Sequence, residues 1–299
     1  MLLRWLKHFM LLKPSILKAH LDIFVQPHQL TLVRRNGVFK KNILHQAVIT
    51  VLADANSHSW APAIAALGVA LQDNRWRDAT PTIILSNHFV RYTVIPWNSL
   101  LNHPAEKQAY LKYCFAQAYG EAAKFWDLRM SNAGLNMPAL ASGVEAGLLS
   151  ALLDVHDHEH LDLQHIYPHL MVALNALKQQ KNMPATQNSF WFVLLEEGRI
   201  CLALINQGAL ISVKTYTIES DLAQQISAMI RRESVMCGLD IIDLPVLVSH
   251  GVHGASVTSL ALNQIAGHPV IRLEKDDGQA ASSAASISQH AIPGQVRHS

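Results

Sequence analysis

The sequence has few cysteines, and they form no pattern. Cys114, Cys201 and Cys237 are its three cysteines, and they lie far apart in a chain of 299 residues. An odd number of distant cysteines argues against a disulfide framework and indicates reduced, buried thiols. We therefore expect a cytoplasmic protein without disulfide bonds.

An excess of one charge and a long apolar run are also missing. Lysine and arginine number 24 against 22 aspartates and glutamates, and a net charge of +2 does not indicate a nucleic-acid binder. The most apolar stretch, Phe190 to Val213, is interrupted by Glu196, Glu197 and Arg199. No run therefore reaches the roughly 18 uncharged apolar residues of a membrane helix. We expect neither a nucleic-acid partner nor a membrane-spanning helix.

Sequence motifs of common enzyme classes are absent as well. The chain contains no G-x-S-x-G, G-x-x-x-x-G-K, G-x-G-x-x-G, H-E-x-x-H or C-x-x-C, which are patterns of catalytic, phosphate-binding and metal-binding sites. A two-metal nuclease needs several converging carboxylates, and the predicted strand Thr82–Leu85 supplies none to join Asp22. These absences predict that the chain is not an enzyme.

The sequence does contain a series of strand patterns. Thr82 to Trp97 has two runs of β-branched and aromatic residues, separated by Ser86-Asn87-His88, which predicts two consecutive strands. Before them, Asn36-Gly37 is a strong hairpin signal inside a three-stranded meander. The predicted strands of the meander are Leu21–Gln26, Gln29–Arg35 and Ile43–Leu52.

The order of elements in the first half occurs again in the second. Three strands are followed by a helix, a strand, a helix and a strand, which is the order βββαβαβ. Ser220 is the predicted cap of the first helix in the second copy, and Ala255–Ala266 is its second helix. The predicted strands of that copy are Phe190–Glu196, Arg199–Asn206, Leu210–Thr217, Pro245–Ser249 and Pro269–Leu273.

The repeat divides the chain into segments. Residues 1–20 are predicted to form an amphipathic helix, which packs on its own domain or contacts a membrane surface or partner through residues 1–13. No small-residue cleavage site follows, so a signal peptide is not expected. The other predicted segments are a first domain at 21–181 with an insertion at about 87–143, a linker at 182–188, a second domain at 189–273 and a disordered tail at 274–299.

The duplicated order resembles the actin-like ATPase superfamily. Three motifs, V-R-Y-T-V-I-P-W, Trp126-Asp127-Leu128 and L-D-L-Q-H-I-Y-P-H-L-M-V-A-L-N, resemble the PilM-type proteins of type IV pilus assembly and the cytoplasmic part of GspL-type proteins of type II secretion. The resemblance covers roughly residues 20–273 and rests on topology and short apolar motifs. It implies an α/β fold of two ribonuclease-H-like (actin-like) βββαβαβ units, the first with an inserted subdomain. Because no membrane helix is predicted, the chain is more similar to the PilM type.

In that superfamily, an Asp-x-Gly hairpin in each half brings backbone N–H groups close to phosphate, and the carboxylate positions a hydrated metal ion. Here Asp22 keeps the carboxylate, but Phe24 fills the glycine position and Pro27 removes a donor. In the second hairpin Glu196 and Glu197 stand where phosphate oxygens would lie, and like charges repel. The resemblance thus implies a pseudo-ATPase.

A trace of a third element, which cradles adenosine in the superfamily, follows the predicted strand Pro245–Ser249. Glycines at the start of a helix bind anions, although loops of this kind are also common without a ligand. If ATP and Mg²⁺ bind, the resemblance assigns their site to Asp22, Ser249, Gly251 and Gly254.

Two functions follow from the resemblance. One is a non-catalytic cytoplasmic scaffold of a type IV pilus or type II secretion-like envelope assembly, which docks a membrane partner at the inner membrane. The other is an active Mg-ATP-binding ATPase whose loops have diverged. The eroded hairpins favour the scaffold.

Histidines form a separate cluster after Asp154. His156, His158 and His160 are a candidate zinc or nickel site, since His156 and His160 would share one face of a helix. The competing interpretation is a solvent-facing connection between a helix and a strand that binds no metal.

Overall fold

The computed structural model describes residues 19–36, 42–54, 57–101, 103–177, 188–219, 221–238, 244–250, 265 and 270–272. The strands are β1 (Ala19–Val25), β2 (Gln29–Asn36), β3 (Asn42–Thr50), β4 (Ala79–Leu85), β5 (Val90–Ile95), β6 (Trp126–Met130), β7 (Ala139–Glu145), β8 (His165–Pro168), β9 (Phe190–Glu196), β10 (Arg199–Asn206), β11 (Ala209–Thr217), β12 (Val246–His250) and β13 (Val270–Arg272). The α-helices are α1 (Ala61–Leu71), α2 (Pro104–Tyr119), α3 (Ala146–His158), α4 (His169–Leu177) and α5 (Leu222–Cys237).

Contacts group the chain into two compact units. The first takes the described residues up to Ser86 together with Gly147–Tyr167, and the second takes Asn87–Ala146 together with the described residues from Pro168 onward. The domain boundaries at 21–181 and 189–273 follow the repeat in the sequence rather than these contacts, and they stay a prediction.

The sheet of the first unit has the strand order β3-β2-β1-β4-β8. The first three strands form an antiparallel meander, and β4 is parallel to β1. A crossover through α1 makes this parallel pairing possible, because a parallel neighbour cannot be reached by a tight turn. Leu67 and Leu71 of α1 are both buried, since residues four positions apart lie on the same face of a helix.

The sheet of the second unit repeats this order as β11-β10-β9-β12-β13. Here β9, β10 and β11 form the antiparallel meander, and β12 is parallel to both β9 and β13. Ile226 and Ile230 of α5 pack in a buried cluster with residues of β9, β10 and β12. The predicted duplication of the α/β unit is therefore confirmed.

The inserted segment forms a small sheet of its own within the second unit, in the order β5-β7-β6, with antiparallel pairing throughout. Phe115 of α2 is fully buried and packs with Leu128 and Ala141 on one face of this sheet. The stretch Thr82 to Trp97 does contain two consecutive strands, and the structure places them in different sheets.

Some predicted boundaries were wrong. The strand predicted at Leu21–Gln26 lies at Ala19–Val25, and the strand predicted at Ile43–Leu52 lies at Asn42–Thr50. The helix α1 begins after Trp60, with Pro62 in its first turn, which is the part of a helix that suits proline. Asp221 caps α5, since its side chain accepts the Gln224 N–H at 2.9 Å.

Other predictions lie outside the described residues. These are the amphipathic helix up to residue 18, the linker at 182–187, the cap Ser220, most of the helix at 255–266 and the tail at 274–299. Within the described part of the chain, no helix combines the length and apolar composition needed to cross a membrane.

Candidate functional site

The carboxylate of the first hairpin is engaged within its own sheet. Asp22 lies on β1 and is buried, and Arg35 of the neighbouring strand β2 donates to its Oδ2 from Nε at 3.2 Å. Phe24, in the position where the superfamily has glycine, is 2% exposed and belongs to the core. Asp22 therefore takes part in a buried ion pair, and an apolar ring occupies the space beside it.

The second hairpin places a carboxylate inside the protein. Glu196 is the last residue of β9, and its side chain is completely buried. Gly198 makes the turn with a φ of 68°, a conformation that favours glycine, while Glu197 in the same turn is exposed. The two adjacent glutamates therefore differ in environment, and Glu196 alone faces the interior.

Glu196 is bound by donors from two other segments of the second unit. The backbone N–H of Asn87 lies 3.1 Å from Oε1 and 3.0 Å from Oε2, and Asn87 Nδ2 donates to Oε1 at 2.9 Å. Nδ1 of His169, the first residue of α4, is 2.5 Å from Oε1. His88 Nδ1 lies 3.6 Å from Oε2. These charge-assisted contacts balance the cost of burying a carboxylate.

Tyr92 holds these donors in place. Its hydroxyl donates to Asn87 Oδ1 at 2.7 Å, which turns the amide nitrogen of Asn87 toward Glu196. The same oxygen accepts the backbone N–H of Leu170, next to His169, and burial raises the pKa of Tyr92 well above its usual value. Tyr119 of α2 donates to the Tyr92 carbonyl at 2.6 Å. One tyrosine therefore links the turn before β5, the start of α4 and α2.

Two other groups near Glu196 do not provide reactive chemistry. Burial, followed by the charge of Glu196, raises the pKa of the Cys201 thiol well above its usual value, so Cys201 stays a protonated, unreactive thiol. Partial burial and the like charge of Arg91 lower the pKa of Arg199. The Glu196 carboxylate is thus surrounded by hydrogen-bond donors, which are the groups that bind an anion in proteins.

The predicted third element of a nucleotide site, which follows the strand Pro245–Ser249, lies partly outside the residues that the structure describes. Ser249 lies on β12 and is half-buried, and it pairs with Leu194 of β9. Gly251 and Gly254 lie outside the described residues. The assignment of Asp22, Ser249, Gly251 and Gly254 to a nucleotide site therefore stays a prediction.

The structure separates the candidate metal ligands. His156 is 1% exposed on α3, and its Nδ1 lies 2.7 Å from the Leu152 carbonyl oxygen. His158 is exposed beside Glu159, and His160 follows the end of the helix with a φ of 55°. Across the described residues, no group of three or more His, Cys, Asp or Glu side chains is arranged to hold a metal ion. The prediction of a connection was wrong up to His158, because α3 continues to that residue. His158 faces solvent as expected, whereas His156 is buried.

Asn87, Tyr92 and His169 were not identified from the sequence. Ser86-Asn87-His88 separates two predicted strands, Tyr92 lies in the motif V-R-Y-T-V-I-P-W, and His169 follows the histidine cluster in the sequence. The available signal was the run of polar residues between two apolar strands, since polar groups next to a core need buried partners.

No protein-family model matches the chain, and no curated protein matches its sequence. Solved structures do match. The cytoplasmic domain of EpsL, an inner membrane component of the type II secretion system of Vibrio cholerae, is 10% identical with a TM-score of 0.54, over 92% of this chain and 96% of that one.

Two further structures have a TM-score of 0.60. A protein of unknown function from Bacteroides thetaiotaomicron, with an actin-like ATPase fold, is 9% identical over 90% of this chain and 96% of that one. A chain of the PilM–PilN type IV pilus biogenesis complex is 12% identical over 90% of this chain and 97% of that one. Together with the duplicated five-stranded sheets, these similarities show that the chain has the actin-like ATPase fold.

Proposed function

We propose that this chain is a non-catalytic cytoplasmic scaffold of a type IV pilus or type II secretion-like envelope assembly, which docks a membrane partner. Support comes from its similarity to the cytoplasmic domain of EpsL, an inner membrane component of a type II secretion system, and to a chain of the PilM–PilN pilus biogenesis complex. At 10% and 12% identity these similarities concern the fold, so the role itself is our inference.

The observation that carries the non-catalytic part of the proposal is the buried carboxylate of Glu196. A phosphate at the second hairpin would have to approach a negative charge that already takes the nearby donors. Two unit charges 4 Å apart repel by about 4 kcal/mol at an effective dielectric constant of 20. That repulsion alone weakens binding by about three orders of magnitude.

The first hairpin supports the same conclusion. Asp22 is paired with Arg35, so its charge already has a counter-ion within the sheet. A carboxylate that positions a hydrated Mg²⁺ must face the ligand with its charge available. In both hairpins, a buried carboxylate is therefore engaged in contacts within the protein.

For the partner, we propose a short cytoplasmic segment of a membrane protein, bound as an extended peptide along a sheet edge or in a groove. This places the chain at the cytoplasmic face of the inner membrane. Residues 1–13 are a proposed additional membrane or partner contact.

Nucleotide binding tests the non-catalytic part. Thermal melting is measured with and without Mg-ATP, up to millimolar concentrations. A ligand at about 100 times its Kd stabilises the native state by roughly 2.7 kcal/mol, which raises the Tm by several degrees in a chain of this size. We expect no shift beyond that produced by Mg²⁺ with an inert polyphosphate. A saturable shift specific to ATP would support the alternative of an active, diverged ATPase.

Partner capture tests the scaffold role. The tagged chain is used to purify bound proteins from detergent-solubilised membranes of its native cell, and the bound proteins are identified by mass spectrometry. We expect a pilus or secretion component among the bound proteins. When that component carries the tag instead, we expect it to capture this chain. A matched variant without residues 1–13 separates docking from membrane contact: capture persists and binding to anionic vesicles falls. Absence of any envelope-assembly protein in both directions contradicts the proposal.

A further inference from the structure

The contacts of Glu196 have the chemistry of an anion-binding site. A backbone N–H, an amide nitrogen and an imidazole converge on the two oxygens of one buried carboxylate. Proteins bind free carboxylates and phosphates with the same groups, because each presents N–H donors to an acceptor that carries charge. The difference here is that the anion belongs to the chain.

Asn87, which supplies two of the donors, is held in position by a contact that does not involve Glu196. The Tyr92 hydroxyl fixes the amide of Asn87 and accepts the N–H of Leu170, next to the donor His169. Tyr92 is itself buried and is held at its carbonyl by Tyr119. The site is therefore preorganised: if the Glu196 carboxylate is removed, the groups that bound it keep an arrangement able to bind another anion.

We propose that Asn87 and His169 form an oxyanion-binding site for a small carboxylate, and that Glu196 is its built-in ligand. The bound carboxylate joins the turn before β5, the start of α4 and the end of β9, and it does so without any ligand from solution. These three segments therefore stay joined whether or not an anion is present in solution. The site belongs to the isolated chain and does not depend on the proposed partner.

The size of the site allows a direct test. Glu196→Ala removes Cγ, Cδ, Oε1 and Oε2, which are the same heavy atoms as those of acetate. We expect this variant to melt at a lower temperature than the wild type, because it leaves buried donors without their acceptor. Sodium acetate, compared with sodium chloride at equal ionic strength, is expected to raise its Tm in a saturable way. At about 100 times its Kd, acetate shifts the folding equilibrium by about 100-fold.

Matched controls separate specific binding from a general salt effect. Glu197→Ala removes the exposed carboxylate of the same turn, and we expect neither a loss of stability nor a response to acetate. The wild type is also expected not to respond, since its site is filled. Acetamide, which has the shape of acetate without the charge, is expected not to restore Glu196→Ala. Adding Tyr92→Phe to Glu196→Ala releases Asn87 and is expected to weaken acetate binding.

Three results would overturn the proposal. In the first, Glu196→Ala is as stable as Glu197→Ala. In the second, acetate stabilises all variants and the wild type equally. In the third, acetamide restores the variant as well as acetate does.

If Glu196→Ala folds neither with nor without acetate, the variant Glu196→Gln tests the proposed site instead. It keeps the side-chain volume but places an NH2 group among donors, and hydrogen exchange at the Asn87 N–H is expected to become about tenfold faster or more. Unchanged protection of that N–H contradicts the proposal. Acetate rescue is measured without nucleotide or partner, so its failure leaves the scaffold role untouched, and failure of partner capture leaves the anion site untouched.

Discussion

If Asp22 is a structural residue, its buried ion pair with Arg35 contributes to the stability of the fold, and this contribution can be measured. Arg35→Met keeps an apolar stem but removes the cation that lies 3.2 Å from a carboxylate whose side chain is 9% exposed. Removing one partner of a buried ion pair costs about 3–5 kcal/mol. Because both side chains are buried, solvent screens this pair little. We therefore expect Arg35→Met to lose about 3–5 kcal/mol of its free energy of unfolding, because the buried carboxylate of Asp22 loses its guanidinium partner.

Urea unfolding at pH 7 measures this loss. Arg34→Met is the matched control, because Arg34 donates to the carbonyl of Arg75 rather than to Asp22. The double variant Asp22→Asn with Arg35→Met is expected to recover part of the stability, since the buried carboxylate is removed together with its cation. A loss below about 1 kcal/mol for Arg35→Met would refute the argument from the buried pair. Asp22 would then again be a candidate ligand for a metal ion.

Two further predictions concern packing and pH. In Gly143→Ala, the new Cβ would lie 2.9 Å from Phe115 Cε1, and overpacking of this kind costs about 1–3 kcal/mol; Gly134→Ala, whose Cβ would meet Met137 at 3.7 Å, is expected to be neutral in the same urea titration. Burial lowers the pKa of His156 from its usual value of 6.5, so the unfolded chain binds its proton first and stability falls as the pH drops below about 6.5. His156→Leu is expected to flatten this part of the stability profile between about pH 7.5 and about pH 5, and an unchanged slope would contradict the assignment.

The fold could be predicted from the sequence because its signals are local. Strands alternate or run apolar over a few residues, and turns carry their own residues, such as Gly198 and Gly208, both with positive φ. The C-terminus of α5 is similarly marked by Gly238. The order of the predicted strands and helices is then the same in both halves of the chain. The duplication can therefore be predicted without knowing any contact between distant residues.

The candidate site could be predicted only in part. The sequence indicated that Glu196 is unsuited to phosphate, but its main partner, Asn87, lies 109 residues earlier in the chain. A contact at that separation leaves no trace in spacing or composition. Asn87 therefore appeared only as a turn residue.

The prediction that His156 lies in a solvent-facing segment was wrong for a different reason. Neighbouring acidic residues suggested a solvent-exposed segment. The spacing of Leu148, Leu152 and His156 places all three on the same buried face of α3. That periodicity was present in the sequence and outweighed the local charge.

The duplicated sheets have a consequence for how such a protein can change. The two hairpins occupy equivalent places in the two copies, yet one has a carboxylate paired with an arginine of its own sheet and the other has a carboxylate bound by distant donors. These arrangements have no residues in common, so no single substitution alters both. A variant with a phosphate site at both hairpins would need substitutions of Phe24 and Pro27 beside Asp22, and a separate substitution of Glu196. Because Phe24 and Glu196 are both buried, each of the two changes is expected to lower stability.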